Sequence, residues 1–329
     1  MRDYSKLPHW PSAYEATGAT ATLKNENSDF IVTEIPLALP SGEGEHVWLD
    51  VEKNGANTQY VAAQIAEYAG VRELDVGYAG LKDRYAITRQ WFTVWMPKEE
   101  APDFTALEHP EFRVLSQARH IKKLRPGDLA GNRFSILLRN VSGDPALIER
   151  NLKQVRESGV PNYFGPQRFG LAGDNVAQGM AMLRREIRVR NKKKKGIYLS
   201  SVRSFLFNEV LAHRIREGLW GKTLPGEVLS DGGVATGPMW GRGRLTSTED
   251  VLALESGIAE QHPEMCEGLE YSGLNQDRRA LAAVPGNMTW EWQNEEQLLL
   301  TFSLPAGYYA TSLIRECIET TEPERNVTP

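Results

Sequence analysis

Gly77-Tyr78-Ala79-Gly80-Leu81-Lys82-Asp83-Arg84-Tyr85-Ala86-Ile87-Thr88-Arg89-Gln90-Trp91-Phe92-Thr93-Val94-Trp95 is the stretch on which the reading of this chain turns. Gly77 and Gly80 suit a tight bend, and Gln90 to Trp95 alternates aromatic and β-branched residues in the manner of a strand. An acid, Asp83, therefore stands on a turn that feeds a sheet. Lys82, Arg84 and Arg89 surround it in sequence, and nearby cations favour a carboxylate over a carboxylic acid, so Asp83 is expected to be ionised at neutral pH. On composition alone an Asp beside Gly is ordinary turn chemistry.

Working outward, the 329 residues are enough for roughly two domains with separate cores, and 41% hydrophobic with 25% charged residues is ordinary for a globular protein. Met1 to Lys6 carries charges with no apolar stretch behind them, and no run of about 18 apolar residues occurs, so neither a signal peptide nor a membrane span is expected and the cytoplasm is the expected location. Cys266 and Cys317 are too few for a disulfide framework or a four-thiolate zinc site and read as packing residues. The net charge of -5 hides an uneven distribution. Residues 184–195 read RREIRVRNKKKK, and a second basic stretch runs through Arg113, Arg119, His120, Lys122, Lys123, Arg125 and Arg133. The acids gather instead between Glu249 and Glu296 and near the C-terminus.

Taken in order, residues 1 to about 18 read as a loosely ordered lead-in, followed by strands at Thr20–Lys24 and Phe30–Ile35. In the second strand Phe30, Val32 and Glu34 share one face, which is odd for an acid in a core; an edge strand whose Glu34 reaches solvent is the plain alternative. A glycine-rich turn leads into a strand ending near Val51, Asn57-Thr58 caps a helix over about Gln59–Tyr68 that Gly70 ends, and Leu74–Tyr78 is a further strand. Past a basic loop, Asn132 precedes a strand at Ser135–Leu138. Asn is most commonly a turn residue, but its amide can also donate and accept in one plane, with aromatic Phe134 close by. Asp144-Pro145 opens a helix ending near Ser158, and the Pro-, Gly- and aromatic-dense segment 159–170 marks a domain boundary. Ser200–Glu217 is an amphipathic helix, Glu249–Glu270 an acidic one, and the sheet resumes at Met288–Glu291 and Gln297–Leu304. Neither Gly42-Glu43-Gly44 nor Gly221-Lys222-Thr223 completes a phosphate loop: the first lacks a following Lys-Ser/Thr pair, and the second has Arg216 where Gly is needed.

Five segments together resemble one family. YAGLKDRYAITRQW (78–91), the DF-x-V-x-E of 29–34, GNRF (131–134), VPNYFGPQRFG (160–170) and the L-P-x-G-x-Y-A-T-x-x-x-R-E of 304–316 are similar to motifs of the TruD family of tRNA pseudouridine synthases. The resemblance implies an α+β fold: a catalytic domain over 1–157 and 285–329, built on a mixed, largely antiparallel sheet, and an inserted α/β TRUD domain over 158–284. It implies isomerisation of uridine 13 of tRNA with Asp83 as the essential catalytic residue. Phe30, Asn132 and Tyr309 then stand at substrate-binding positions, with Phe134 carried over less firmly; the aromatic position held by Tyr309 is Phe in some relatives. Glu34 belongs to the same motif as Phe30. Lys82 either meets a neighbouring phosphate or pairs with Asp83. The reaction changes no oxidation state and adds no group, so no cofactor or metal is expected, tRNA is the expected partner, and no membrane or protein partner is implied. The rival reading is a catalytically silent RNA-binding module, against which the intact Asp83 and Asn132 argue because binding alone does not need the acid.

A charge run is ordinarily a solvated face, but beside this signature the lysines of 192–195 are read as phosphate contacts. Replacing Lys192 to Lys195 with glutamates is expected to weaken tRNA binding and to flatten its dependence on salt; identical binding isotherms across a salt series would reduce the run to a solvated face.

Overall fold

The computed structural model describes residues 4–97, 100–170 and 173–325. Its strands begin with β1 (Thr20–Thr22), β2 (Phe30–Pro36), β3 (His46–Asn54), β4 (Val76–Tyr78), β5 (Ile87–Trp95), β6 (Phe112–His120) and β7 (Leu129–Ser142). The short strands β8 (Val160–Pro161), β9 (Thr236–Met239), β10 (Asp277–Ala280) and β11 (Ala282–Ala283) follow, and β12 (Gly286–Asn294), β13 (Gln297–Pro305) and β14 (Glu319–Thr321) close the chain. The helices are α1 (Thr58–Ala69), α2 (Pro145–Ser158), α3 (Asn175–Leu183), α4 (Lys192–Arg216), α5 (Glu249–Glu260), α6 (Pro263–Tyr271) and α7 (Ala310–Ile314).

Two compact units divide these elements. One comprises Gly18–Asp144, Pro285–Gly307 and Ile318–Pro329, and it carries the main sheet. The strand order is β12-β13-β7-β2-β5-β3-β6, with β1 on β7 and β14, and β4 on β5; the pairs β2–β5 and β1–β14 are parallel and the others antiparallel. The fold is thus α+β with a mixed, largely antiparallel sheet. Helix α1 covers one face, putting Val61, Ala62 and Ile65 against Leu49, Val51, Phe92 and Val94. Gly70, at φ 66, ends it in the left-handed conformation that favours glycine.

Strand β2 lies inside the sheet between β7 and β5, so the edge-strand alternative for Glu34 fails: its side chain is buried. Strand β7 is fourteen residues long and already includes Asn132 and Phe134, because β2 and β13 flank it on both sides and pair its polar start as well as its apolar middle. Gly131 permits that pairing, since a Cβ there would stand 2.3 Å from the Leu304 carbonyl oxygen.

The other unit comprises Met1–Thr17, Pro145–Val284 and Tyr308–Cys317 and is mainly helical, with β9–β10 and β8–β11 as two short ladders. Around α4 gather Tyr163, Phe169, Val176, Met180, Met265 and Leu269. The lead-in is not loosely ordered from Tyr4 onward, while residues 1–3 lie outside the described residues. Tyr4 and Trp10 are buried in this core, and the Trp10 indole N–H donates to Glu209 Oε1 at 2.7 Å. Helix α4 starts at Lys192 rather than Ser200: lysine is a good helix former, and Asn191 caps the first turn by accepting from the Lys194 N–H. The expected single acidic helix is two, α5 and α6, because Pro263 starts a new helix at its first position. Both cysteines are buried, and burial pushes the Cys266 thiol up to about 12.

Glu316 is buried in this unit, where its Oε2 accepts from the Ala13 N–H at 2.8 Å and the Tyr14 N–H at 3.4 Å. Burial pushes its pKa up from 4.5 to about 7. The folded chain then holds a proton that the unfolded chain releases near pH 4.5, so stability falls as pH rises from 4.5 through 7. Glu316→Gln removes that loss. Its stability relative to the parent, read from urea unfolding, is expected to improve between pH 4.5 and 8 by up to about 3 kcal/mol, and a difference independent of pH would show that the carboxyl does not titrate there.

Candidate active site

The turn between β4 and β5 is held at three points by the sheet and by helix α1. The Gln90 amide donates to the Gly80 carbonyl at 3.2 Å, the Lys82 N–H donates to Thr58 Oγ1 at 3.0 Å, and the Lys53 ammonium donates to the Asp83 carbonyl at 2.6 Å. Thr58, the first residue of α1, donates in turn to Gln90 Oε1 at 2.9 Å. These tethers come from β3, β5 and the start of α1, so the turn is tied to three elements of the sheet unit. Asp83 projects from it with its side chain 44% exposed, open to a substrate.

The charges around Asp83 are not the ones nearest in sequence. Lys82 does not pair with it; its Nζ lies 2.6 Å from Glu34 Oε2, and both side chains are buried, at 6% and 1% exposure. Arg89 pairs with Asp50, and Arg84 stands over the Tyr85 ring at 5.7 Å. The cation at the Asp83 carboxylate is Lys24, 3.3 Å from Oδ2. Lys24 Nζ is also 3.1 Å from Glu322 and 4.7 Å from the centroid of the Phe30 ring, so one buried ammonium ties together the acid and the aromatic. Beneath them Lys53 is fully buried, and its pKa is pushed down to about 8, first by burial and then by Lys82, with Asp83 acting in the opposite sense.

Phe30, Glu34, Asn132 and Phe134 stand on one face of the sheet through strand register. Val32 pairs opposite Phe134 and Glu34 opposite Asn132, so these side chains emerge on the same side. The Phe30 and Phe134 rings meet edge to face at 6.2 Å, and Phe134 stacks on Phe302 at 5.3 Å. Glu34 Oε1 accepts from the Trp91 N–H at 3.3 Å. Asn132 is half-buried, and its Oδ1 finds no donor among the described residues.

Six of the seven residues singled out in the sequence, Asp83, Lys82, Glu34, Phe30, Asn132 and Phe134, are thus linked in the sheet unit. Tyr309 belongs to the other unit, where it precedes α7 and packs edge to face on Phe164 at 6.3 Å. Lys24 and Lys53 escaped the sequence reading. Lys53 had a signal: it continues the inward series Val47, Leu49, Val51, where a charge is out of place. Lys24 had none, because its backbone is left-handed, at φ 55, and its partners lie far along the chain. Among the described residues no group of three or more His, Cys, Asp or Glu side chains could hold a metal ion, and no helix is long and apolar enough to cross a membrane.

Comparison with known proteins bears on this constellation. The family model for tRNA pseudouridine synthase D (TruD) matches residues 12–190. The chain is 41% identical to the tRNA pseudouridine synthase D of Hydrogenovibrio crunogenus, covering 95% of this chain and 97% of that one. With the protein of the same description from Cellvibrio japonicus it shares 42% identity over 94% and 92% of the two chains. A crystal structure described as the putative tRNA pseudouridine synthase D (TruD) of Methanosarcina mazei matches with a TM-score of 0.71 over 95% of this chain and 96% of that chain; at 19% identity this likeness speaks for the fold.

Lys53 gives the site a pH signature. The unfolded chain keeps this proton to about pH 10.5, whereas the folded chain releases it near 8, so unfolding takes up a proton between those values and stability rises with pH across that window. Lys53→Met removes the rise. Its stability relative to the parent is expected to be most favourable below pH 8 and to fall by up to about 3 kcal/mol by pH 10.5, as read from urea unfolding at the two ends. A constant difference would mean that Lys53 titrates normally.

Proposed function

This chain belongs to the TruD family of tRNA pseudouridine synthases, and on that premise we propose that it isomerises uridine 13 of tRNA to pseudouridine with Asp83 as the catalytic carboxylate. The observation that carries the proposal is Asp83 itself: an accessible carboxylate on a turn tethered from three sides, beside a buried ammonium and an aromatic face. A merely structural aspartate has no need of such an arrangement. The uridine is extruded from its stack, which costs a few kcal/mol, and stacking on an aromatic returns about 1–3 kcal/mol per base. Phe30 is the ring assigned to that contact, with Phe134 fixing its position from the side and Tyr309 assigned to a second stacking contact. The Asn132 Oδ1 accepts from the uracil N–H, and its amide donates to a uracil carbonyl.

Breaking the bond from C1′ to N1 leaves positive character on the sugar, which the Asp83 carboxylate stabilises or traps as carboxylates do in glycoside chemistry. The uracil turns, C5 bonds to C1′, and the C5 proton leaves to solvent while N1 regains one, so no redox partner or added group is required. Lys24 holds the Asp83 carboxylate in place and draws Phe30 to the same point. Lys82 serves Glu34 rather than a phosphate or the nucleophile, fixing the turn against β2. Catalysis is assigned to the parts of the chain within 1–157 and 285–329, RNA contact to the inserted segment 158–284 with the α4 lysines, and the site of action to the cytoplasm, where tRNA is the substrate.

Tritium release from C5-tritiated uridine in unmodified tRNA transcripts tests the proposal. The parent is expected to release tritium and Asp83→Asn to release none, with RNA affinity kept within a few-fold. Equal release by both would remove Asp83 from the chemistry, and tight binding with no release by either would make the protein a silent RNA-binding module.

A further inference from the structure

Four arginines of the mainly helical unit fall into two pairs. Arg214 and Arg278 are conventional structural cations, each bidentate to a carboxylate: Arg214 to Glu227 at 2.9 and 2.6 Å, Arg278 to Glu255 at 3.2 and 2.6 Å. Arg279, the next residue, points elsewhere. Its guanidinium lies 4.1 Å from the centroid of the Phe164 ring and 5.4 Å from that of Tyr308, and donates to Asn162 Oδ1 at 2.6 Å. Arg168 lies over the same Phe164 ring at 5.5 Å and donates to Ser200 Oγ at 3.2 Å, while its Nε finds no acceptor among the described residues. Two guanidiniums therefore share one phenyl ring, and the ring of Tyr309 meets that phenyl edge to face.

Held this way, the Arg279 charge is costly. Burial pulls the Arg279 pKa down to about 10, with Arg168 pushing in the same direction and Tyr309 and Tyr308 opposing it. Arg279 is still charged at neutral pH. The planar fork of arginine matches phosphate oxygens two at a time. Flanking tyrosine rings add faces on which a base can stack, which distinguishes a nucleotide from a bare anion.

We propose that Arg279 and Arg168, set around Phe164, form a subsite for a phosphodiester of the RNA, adjoining the stacking rings of Tyr308 and Tyr309. The proposal rests on the tRNA reading above, and it separates this cluster from the lysines of α4, which are exposed and meet phosphates as point charges.

Equilibrium binding of an unmodified tRNA transcript to the full chain, measured across a KCl series for the parent, Arg168→Gln, Arg279→Gln and Arg279→Lys, tests it. Each glutamine variant is expected to bind about tenfold more weakly, with a slope of log affinity against log salt shallower by about 0.7–0.9. Arg279→Lys is expected to keep the slope and lose affinity, because the charge survives and the fork does not. Unchanged affinity and slope in folded variants, even with a lower melting temperature, would make these arginines structural and overturn the subsite. Should Arg279→Gln fail to fold, Arg168→Gln decides by the same two readings, since that side chain is only half-buried. Inorganic phosphate stabilising the parent but not Arg168→Gln, with the RNA slope unmoved, would mark a free-anion site and overturn the RNA assignment. Tritium release by the parent is scored separately, so the subsite can fail while the isomerase reading stands.

Discussion

The buried ion pair between Lys82 and Glu34 is the constraint from which the site follows. Two charges taken from water are tolerated only if they meet, and removing either partner leaves a buried charge uncompensated. Because Lys82 sits on the turn and Glu34 on β2, their pairing locks an irregular segment to the middle of the sheet. Lys82 is thereby removed from Asp83, its neighbour in sequence, and the carboxylate next to it is left for Lys24.

Around that pair the sheet unit gathers three ammoniums, from Lys24, Lys53 and Lys82, and three carboxylates, from Glu34, Asp83 and Glu322. Each ammonium has a distinct task. Lys82 neutralises Glu34, Lys24 bridges two carboxylates over an aromatic face, and Lys53 spends its donor on the Asp83 carbonyl. Lys53 is fully buried and its pKa is pushed down to about 8, which is the expected result of burying an ammonium against a backbone dipole rather than a full charge. The sheet accepts that cost at the end of an otherwise apolar series, and in return the Asp83 turn is hydrogen-bonded to β3.

The mainly helical unit solves a different problem with arginine in place of lysine. An ammonium is a compact point charge, suited to meeting a single carboxylate or carbonyl, whereas a guanidinium is planar and lies flat on rings. Phe164 and Tyr308, from motif segments far apart in the chain, provide the rings, and Arg168 and Arg279 lie against them. Both units thus combine cations with aromatics.

Much of this was open to the sequence. Period-two alternation in Phe30–Glu34 and Gln90–Trp95, the helix ended by Gly70, and the five motif segments located the sheet, the turn and six candidate residues that the sheet unit links, because strand faces and turn chemistry are local properties. Where a polar residue interrupts an inward series, as at Glu34 and Lys53, the anomaly itself was the signal. Partner choice was decided only in three dimensions. Sequence proximity offers Lys82, Arg84 and Arg89 to Asp83, yet those side chains pair with Glu34, Tyr85 and Asp50, while Asp83 receives Lys24 from another part of the chain. A charge pairs with what lies within a few ångströms after desolvation, and that distance is fixed by strand register and by the packing of distant segments, neither of which is written in the order of residues along the chain.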